Sequence, residues 1–427
     1  MEKFFFLTLA VWFSVLFADA QTQNFYYEDA VYNENIKTVL MFRNGFELSE
    51  PIWFLGEEAN LVLKFDDLSG EVKNYYYTLV HCDANWNESF LLQSDYLDGF
   101  TDNPVDDYRR SFNTTFNYIN YHIYLPNENM RFKVSGNYAL VVYEDNNREK
   151  KVLTRRFYVA EDLARIEGTV RRATLDAYKG ENQEVDFTIF HELLEIKNPR
   201  EEVKVVIMQN NRWDNAVRDL KPLFIRDRQL IYDYNRENVF VAGNEFRYFD
   251  IRTNRLNGEN VASTEFFRPY YHKTLMTDEV RVNKKYFSYR EMNGKFAIES
   301  QDRVNDFDTE CDYAFVHFTL PLESILLGGT VNVFGALTNW NANKSNEMTW
   351  NFDSSAYELT LLLKQGYYNF QYVYVPQGAK TADHKNLEGS FWETENDYRI
   401  FVYYRDLAGR YDRLIGFRQL NSLTNRN

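Results

Sequence analysis

Along most of the chain, inward and outward positions alternate with a period of two, the spacing of a strand that buries one face. Leu61, Leu63 and Phe65 alternate with Val62, Lys64 and Asp66, and Tyr75, Tyr77 and Leu79 with Tyr76, Thr78 and Val80. An aromatic alternation runs over 112–125, and Gly136-Asn137 opens a strand over 138–143. The turn signal Asp145-Asn146-Asn147 then returns the chain as a hairpin partner over 152–159. Roughly seven such strands fit one sandwich. A second set begins at Ile166 and includes 184–190, 203–208, 229–232, 239–241, 245–252 and 261–267. A third includes 313–320, 330–334, 357–363, 366–375 and 398–404. No long amphipathic helix interrupts them. The pattern predicts an all-β chain of three tandem β-sandwich modules, over 21–160, 161–300 and 301–427, with the second junction in the charged stretch 286–308.

Residues 1–20 stand outside the alternation. A short charged start, Met1-Glu2-Lys3, precedes an apolar run over 4–17 and the small-x-small sequence Ala18-Asp19-Ala20. This reads as a signal peptide cleaved before Gln21. The run, about fourteen residues, is too short to span a bilayer. Export gives Cys82 and Cys311 an oxidising setting; a bridge between them is open, but two separate buried thiols are the favoured reading. The formal net charge of −15 argues against nucleic acid and against electrostatic adhesion to anionic lipid. The 32 Tyr and 35 Phe, beside 18 Gly and 8 Pro, suit half-buried pleated surfaces and broad contact areas.

Candidate chemistry is sparse. His81-Cys82-Asp83 has metal-ligand residue types, but alternation sends His81 and Cys82 to opposite faces of one strand, so they cannot share an ion. The same geometry prevents His81 from activating Cys82 as a nucleophile. No nucleophile elbow, phosphate loop or zinc-protease helix occurs. No catalytic residue, metal or cofactor is therefore expected. The loop over 83–108 carries Trp86, Phe90, Tyr96, Phe100 and Tyr108 among six Asp. Long loops in compact domains are often functional. Trp86 and Tyr96 are the candidate partner-binding anchors, Trp and Tyr being enriched at binding hot spots. The competing reading folds these rings back onto the sandwich edge.

In the third module, 331–341 ends a strand in Gly335 and turns to Trp340, and Gly366-Tyr367-Tyr368-Asn369-Phe370 follows. This resembles the early-set immunoglobulin-like modules that include glycogen- and starch-binding domains. It implies an immunoglobulin-like sandwich in which Trp340 and Trp350 could stack on sugar rings. The alternative function is thus a periplasmic or secreted carbohydrate-binding protein. Val375-Pro376-Gln377-Gly378 departs from the sugar binders' usual Asp-Gly segment.

A second resemblance spans nearly the whole mature chain. Its signatures are His81-Cys82-Asp83-Ala84-Asn85-Trp86-Asn87, Tyr96-Leu97-Asp98-Gly99-Phe100, Ser135-Gly136-Asn137-Tyr138, Thr154-Arg155-Arg156-Phe157, and Gly243-Asn244-Glu245-Phe246-Arg247-Tyr248-Phe249-Asp250. With Leu363-Lys364-Gln365-Gly366-Tyr367-Tyr368-Asn369, these resemble the type IX secretion system plug proteins of the Bacteroidota. Asn85 stands where many members are expected to carry Asp. The resemblance implies a non-enzymatic periplasmic protein, held peripherally at the outer membrane by the β-barrel translocon of that system. Such a protein closes the barrel's periplasmic mouth when no cargo is in transit, with no small-molecule substrate. The interface would be wide, with affinity limited so that it can open.

Overall fold

The period-two segments form strands that stack as pairs of sheets around three main cores in the computed structural model, which describes residues 26–302 and 304–426. The expected signal peptide lies outside the described residues. In the first unit, a sheet ordered Ala30–Val31, Lys151–Ala160, Gly136–Glu144, Tyr75–Cys82, Asp102–Pro104 faces one ordered Ile36–Arg43, Leu61–Asp67, Ile119–Leu125, Asp107–Arg110. Leu63, Phe65, Tyr121, Tyr138, Leu140 and Phe157 fill the space between. The expected hairpin is present, with Tyr138 opposite Phe157. The aromatic run over 112–125 becomes a strand only from Ile119. Phe116 and Tyr118 instead leave the sheet to pack on Tyr270 and Tyr313 of the third unit.

Strand pairing redraws the expected module boundaries. The second unit faces Arg165–Arg172, Asn182–Phe190, Gln229–Tyr232 and Phe224–Arg226 against Arg212–Arg218, Val203–Gln209, Asp397–Tyr404 and Arg413–Asn421. Val203 lies opposite Tyr404 and Gln209 opposite Tyr398. Residues 398–404, read from sequence in the third set, and Arg413–Asn421, inside the expected 301–427 module, therefore complete the second. The third unit starts earlier than residue 301: Arg247–Asp250 and Phe296–Ile298 pair with Gly366–Pro376, and Val261–Phe267 and Tyr270–Leu275 extend the sheet of Tyr313–Pro321 and Ala356–Lys364. Periodicity tells which residues alternate; it carries no information about which distant strand supplies the hydrogen bonds.

The outer faces of these sheets are also covered. Asp66, whose place in the alternation suggested solvent, is fully buried beside Lys364 at 2.7 Å and accepts a hydrogen bond from the Tyr313 hydroxyl at 2.6 Å. Lys64 reaches Asp308 at 2.7 Å across the same seam. Between the first and second units, Cys82, Trp86, Ala139 and Tyr158 meet Val206, Met208, Phe401 and Leu414. Tyr403 donates to Asn137 Oδ1 at 2.8 Å there. Between the second and third units, Arg212 donates to His384 Nδ1 at 2.8 Å and lies over the Phe334 ring. Glu50 joins all three, pairing with Arg399 of the second unit and with Lys295 of the third at 3.0 Å. Burial alone would raise its carboxyl, but those two cations outweigh it and hold it below the usual range.

Candidate partner-binding surface

The loop after Tyr75–Cys82 is built on Asp83. Its Oδ1 accepts the backbone N–H groups of Asn85 at 2.8 Å and Asn87 at 3.0 Å, an Asx-type turn that leaves Trp86 at φ 66°. This conformation drives Trp86 inward. Its ring packs edge-on against Tyr158 and Trp213, with the Arg156 guanidinium 4.5 Å from its centroid. Trp86 is 0% exposed. Tyr96 is buried too, its hydroxyl donating to Leu79 O at 3.0 Å and its ring lying beside His81 and Tyr138. The two residues expected as partner anchors are thus a seam between units and part of a core, and neither presents its ring to a partner on this surface.

The apolar surface of the loop comes from its neighbours. The chain forms a short helical turn over Gln93–Tyr96, and Leu97–Gly99 then pairs with Met130–Phe132. Phe90, Leu92 and Phe100 stand out at 83%, 69% and 67% exposed. Gly99, at φ 113°, makes the tip possible: a Cβ there would meet Asn129 O at 2.2 Å. Arg410 reaches Asp95 at 3.3 Å, which brings the second unit's loop with exposed Leu407 beside the helical turn. Asp102 is held by Arg148 at 2.7 Å and by the Tyr143 hydroxyl. Burial acts to raise its carboxyl, and those hydrogen bonds together hold it low. Phe90, Leu92 and Phe100 are thus exposed apolar side chains among polar neighbours, the composition of a contact surface. Phe90 and Phe100 were visible in sequence as loop aromatics.

The remaining candidates are structural. His81 sits between the Ser89 hydroxyl at 2.9 Å and Ser135 O at 3.1 Å, and burial pushes its imidazole down to about 4. Cys82 and Cys311 are buried free thiols. Burial raises both, Cys311 to about 12, far from a reactive thiolate. Among the described residues, no group of three or more His, Cys, Asp or Glu is placed to hold a metal. Trp340 is half-buried and meets Phe246 and Phe334 edge-on at 5.8 and 5.7 Å. It lies so close over Gly294 that a Cβ there would be 2.4 Å from its ring. Trp350, also half-buried, packs on Tyr357 at 5.1 Å. Both indoles are engaged in packing rather than held out as a flat sugar platform.

A family model described as "Type 9 secretion system plug protein 1st domain" matches residues 36–161 of this chain, which take in most of the first unit and the whole 83–108 loop. The crystal structure of a hypothetical protein from Parabacteroides merdae is similar throughout, at 38% identity and a TM-score of 0.91 over 93% of this chain and 100% of that one. No curated protein matches.

Proposed function

We propose that this chain, whose residues 36–161 match the first domain of type IX secretion system plug proteins, is a non-enzymatic periplasmic plug of that family. It docks on the giant outer-membrane β-barrel translocon of that system and closes the periplasmic opening while no substrate is in transit. The family match over 36–161 carries the reading. A pore wide enough for folded protein leaks solutes unless something broad and stiff covers it. Three sandwiches tied together by buried ion pairs supply such a body. No helix among the described residues is long and apolar enough to cross a membrane, so attachment through a protein partner fits. The exposed tip of Phe90, Leu92 and Phe100 is the contact surface in this proposal.

The test is purification of the tagged full-length protein from detergent extracts of its own cells, together with outer-membrane permeability to a large antibiotic in deletion strains. Docking predicts that a large outer-membrane barrel co-purifies. Closure predicts that deletion raises permeability only in strains that still make the barrel. Equal permeability with and without the barrel removes the gating role.

A further inference from the structure

Among the described residues, a cleft of about 640 Å³ opens between the first and third units. One wall is the Ile36–Arg43 strand, whose pairing with Leu61–Asp67 skips between Lys37 and Leu40. Thr38, within that bulge, sits at φ 51°. A β-branched residue in that region is strained, and such strain and such bulges gather at functional sites. The opposite wall is the turn carrying Thr338, Asn339 and Asn341. Arg155 lies between them and donates to Val39 O at 3.3 Å and to Asn339 Oδ1 at 2.7 Å.

Arg155 is 5% exposed, yet no ion pair joins it to a carboxylate among the described residues. The other buried arginines are compensated. Arg212, Arg247 and Arg399 hold Asp214, Glu388 and Glu50, and Arg156 lies against the faces of Tyr26, Trp86 and Trp213. Among the described residues, Arg155 has neither an ion-paired carboxylate nor an aromatic face against it. Lys37, half-buried on the bulged wall, also forms no ion pair among the described residues. Burial lowers both cations, and the charges of Glu34 on Lys37 and of Asp29 on Arg155 act against it without forming an ion pair. A buried charge without a counter-ion is costly. Arg155, buried without an ion pair, and the half-buried Lys37 leave room at this cleft for an anion that arrives from outside.

We infer that this cleft binds a small anionic ligand whose carboxylate or phosphate group is held by Arg155 and Lys37 and whose body meets Thr338 and Asn341. The volume is that of a small-molecule site and too small for a folded partner. Glu28 and Glu34 on the rim are exposed and Asp29 beside them is half-buried, so only a ligand whose charge reaches past these three carboxylates is favoured. The site stands apart from the plug reading and survives its failure.

The experiment uses the full mature chain, with thermal unfolding and titration calorimetry at constant ionic strength. The probes are inorganic phosphate, glucose 6-phosphate and glucuronate, with glucose as the neutral control. At least one anionic probe is expected to raise Tm and to bind roughly tenfold or more tighter than glucose. Lys37→Gln is expected to keep the ligand-free Tm and weaken that binding several-fold, and Lys37→Arg to restore it. Preference for phosphate or for carboxylate identifies the head group, and either supports the site. If no anionic probe binds more tightly than glucose, or if Lys37→Gln and Arg155→Lys both bind like wild type, the proposal falls.

Discussion

His384 accepts an Arg212 N–H on Nδ1, which requires a neutral ring. Burial and the Arg212 charge lower it to about 3, from an ordinary value of 6.5. A folded-state value below the unfolded one means that the native state binds fewer protons in this window. The stability it contributes is full above about pH 6.5 and declines as pH falls toward 3. His81, lowered to about 4, acts with the same sign. The expected outcome is a lower urea midpoint at pH 5 than at pH 7, with a smaller drop in His384→Gln. Glu291 acts oppositely: burial and the Glu245 charge raise it to about 8, so its contribution is present in acid and lost as pH rises from the carboxylate range to about 8. Glu291→Gln should flatten that loss. Trp86→Ala removes a fully buried indole and should cost about 3–5 kcal/mol in urea unfolding, whatever it does to partner binding. A normal unfolding midpoint with lost partner binding would return Trp86 to the role of anchor.

At the scale of elements, the 83–108 loop separates stability from recognition. Replacing Phe90, Leu92 and Phe100 together by Ser should change unfolding by no more than about 0.5 kcal/mol per site while abolishing co-purification of the barrel. Gly99→Ala should instead destabilise the tip, because its Cβ would meet the Asn129 carbonyl. The strands themselves were legible. The hairpin of Gly136–Glu144 with Lys151–Ala160 follows from its alternation and its Asn-rich turn. The roles of single aromatics were less legible. A large ring on a loop satisfies hot-spot statistics and core statistics equally, and only the Asx turn at Asp83, which aims Trp86 inward, decides between them. Asp66 was misplaced for a related reason: alternation assigns a face, and the neighbouring unit that covers that face comes from sequence-distant residues.

The whole molecule is three sandwiches that bury one another's outer sheet faces, with Glu50 at their junction. Glu50→Gln leaves Arg399, already 1% exposed, without its counter-ion, and should cost about 3–5 kcal/mol in a single cooperative unfolding transition. Two separated transitions in that variant would show that the units are held together elsewhere. A fragment of residues 161–300 should fail to fold by circular dichroism and hydrogen exchange, since it lacks Asp397–Tyr404 and Arg413–Asn421. Synthesis delivers the N-terminus first, so the Val203–Gln209 strand emerges long before its partner Asp397–Tyr404. Until then it is an open strand edge, available for mispairing. The strands Asp397–Tyr404 and Arg413–Asn421 therefore work as a late certificate that the middle sheet is closed. A product cut short before them keeps an unclosed middle sheet, a lesion that proteases can find before a defective copy takes its place.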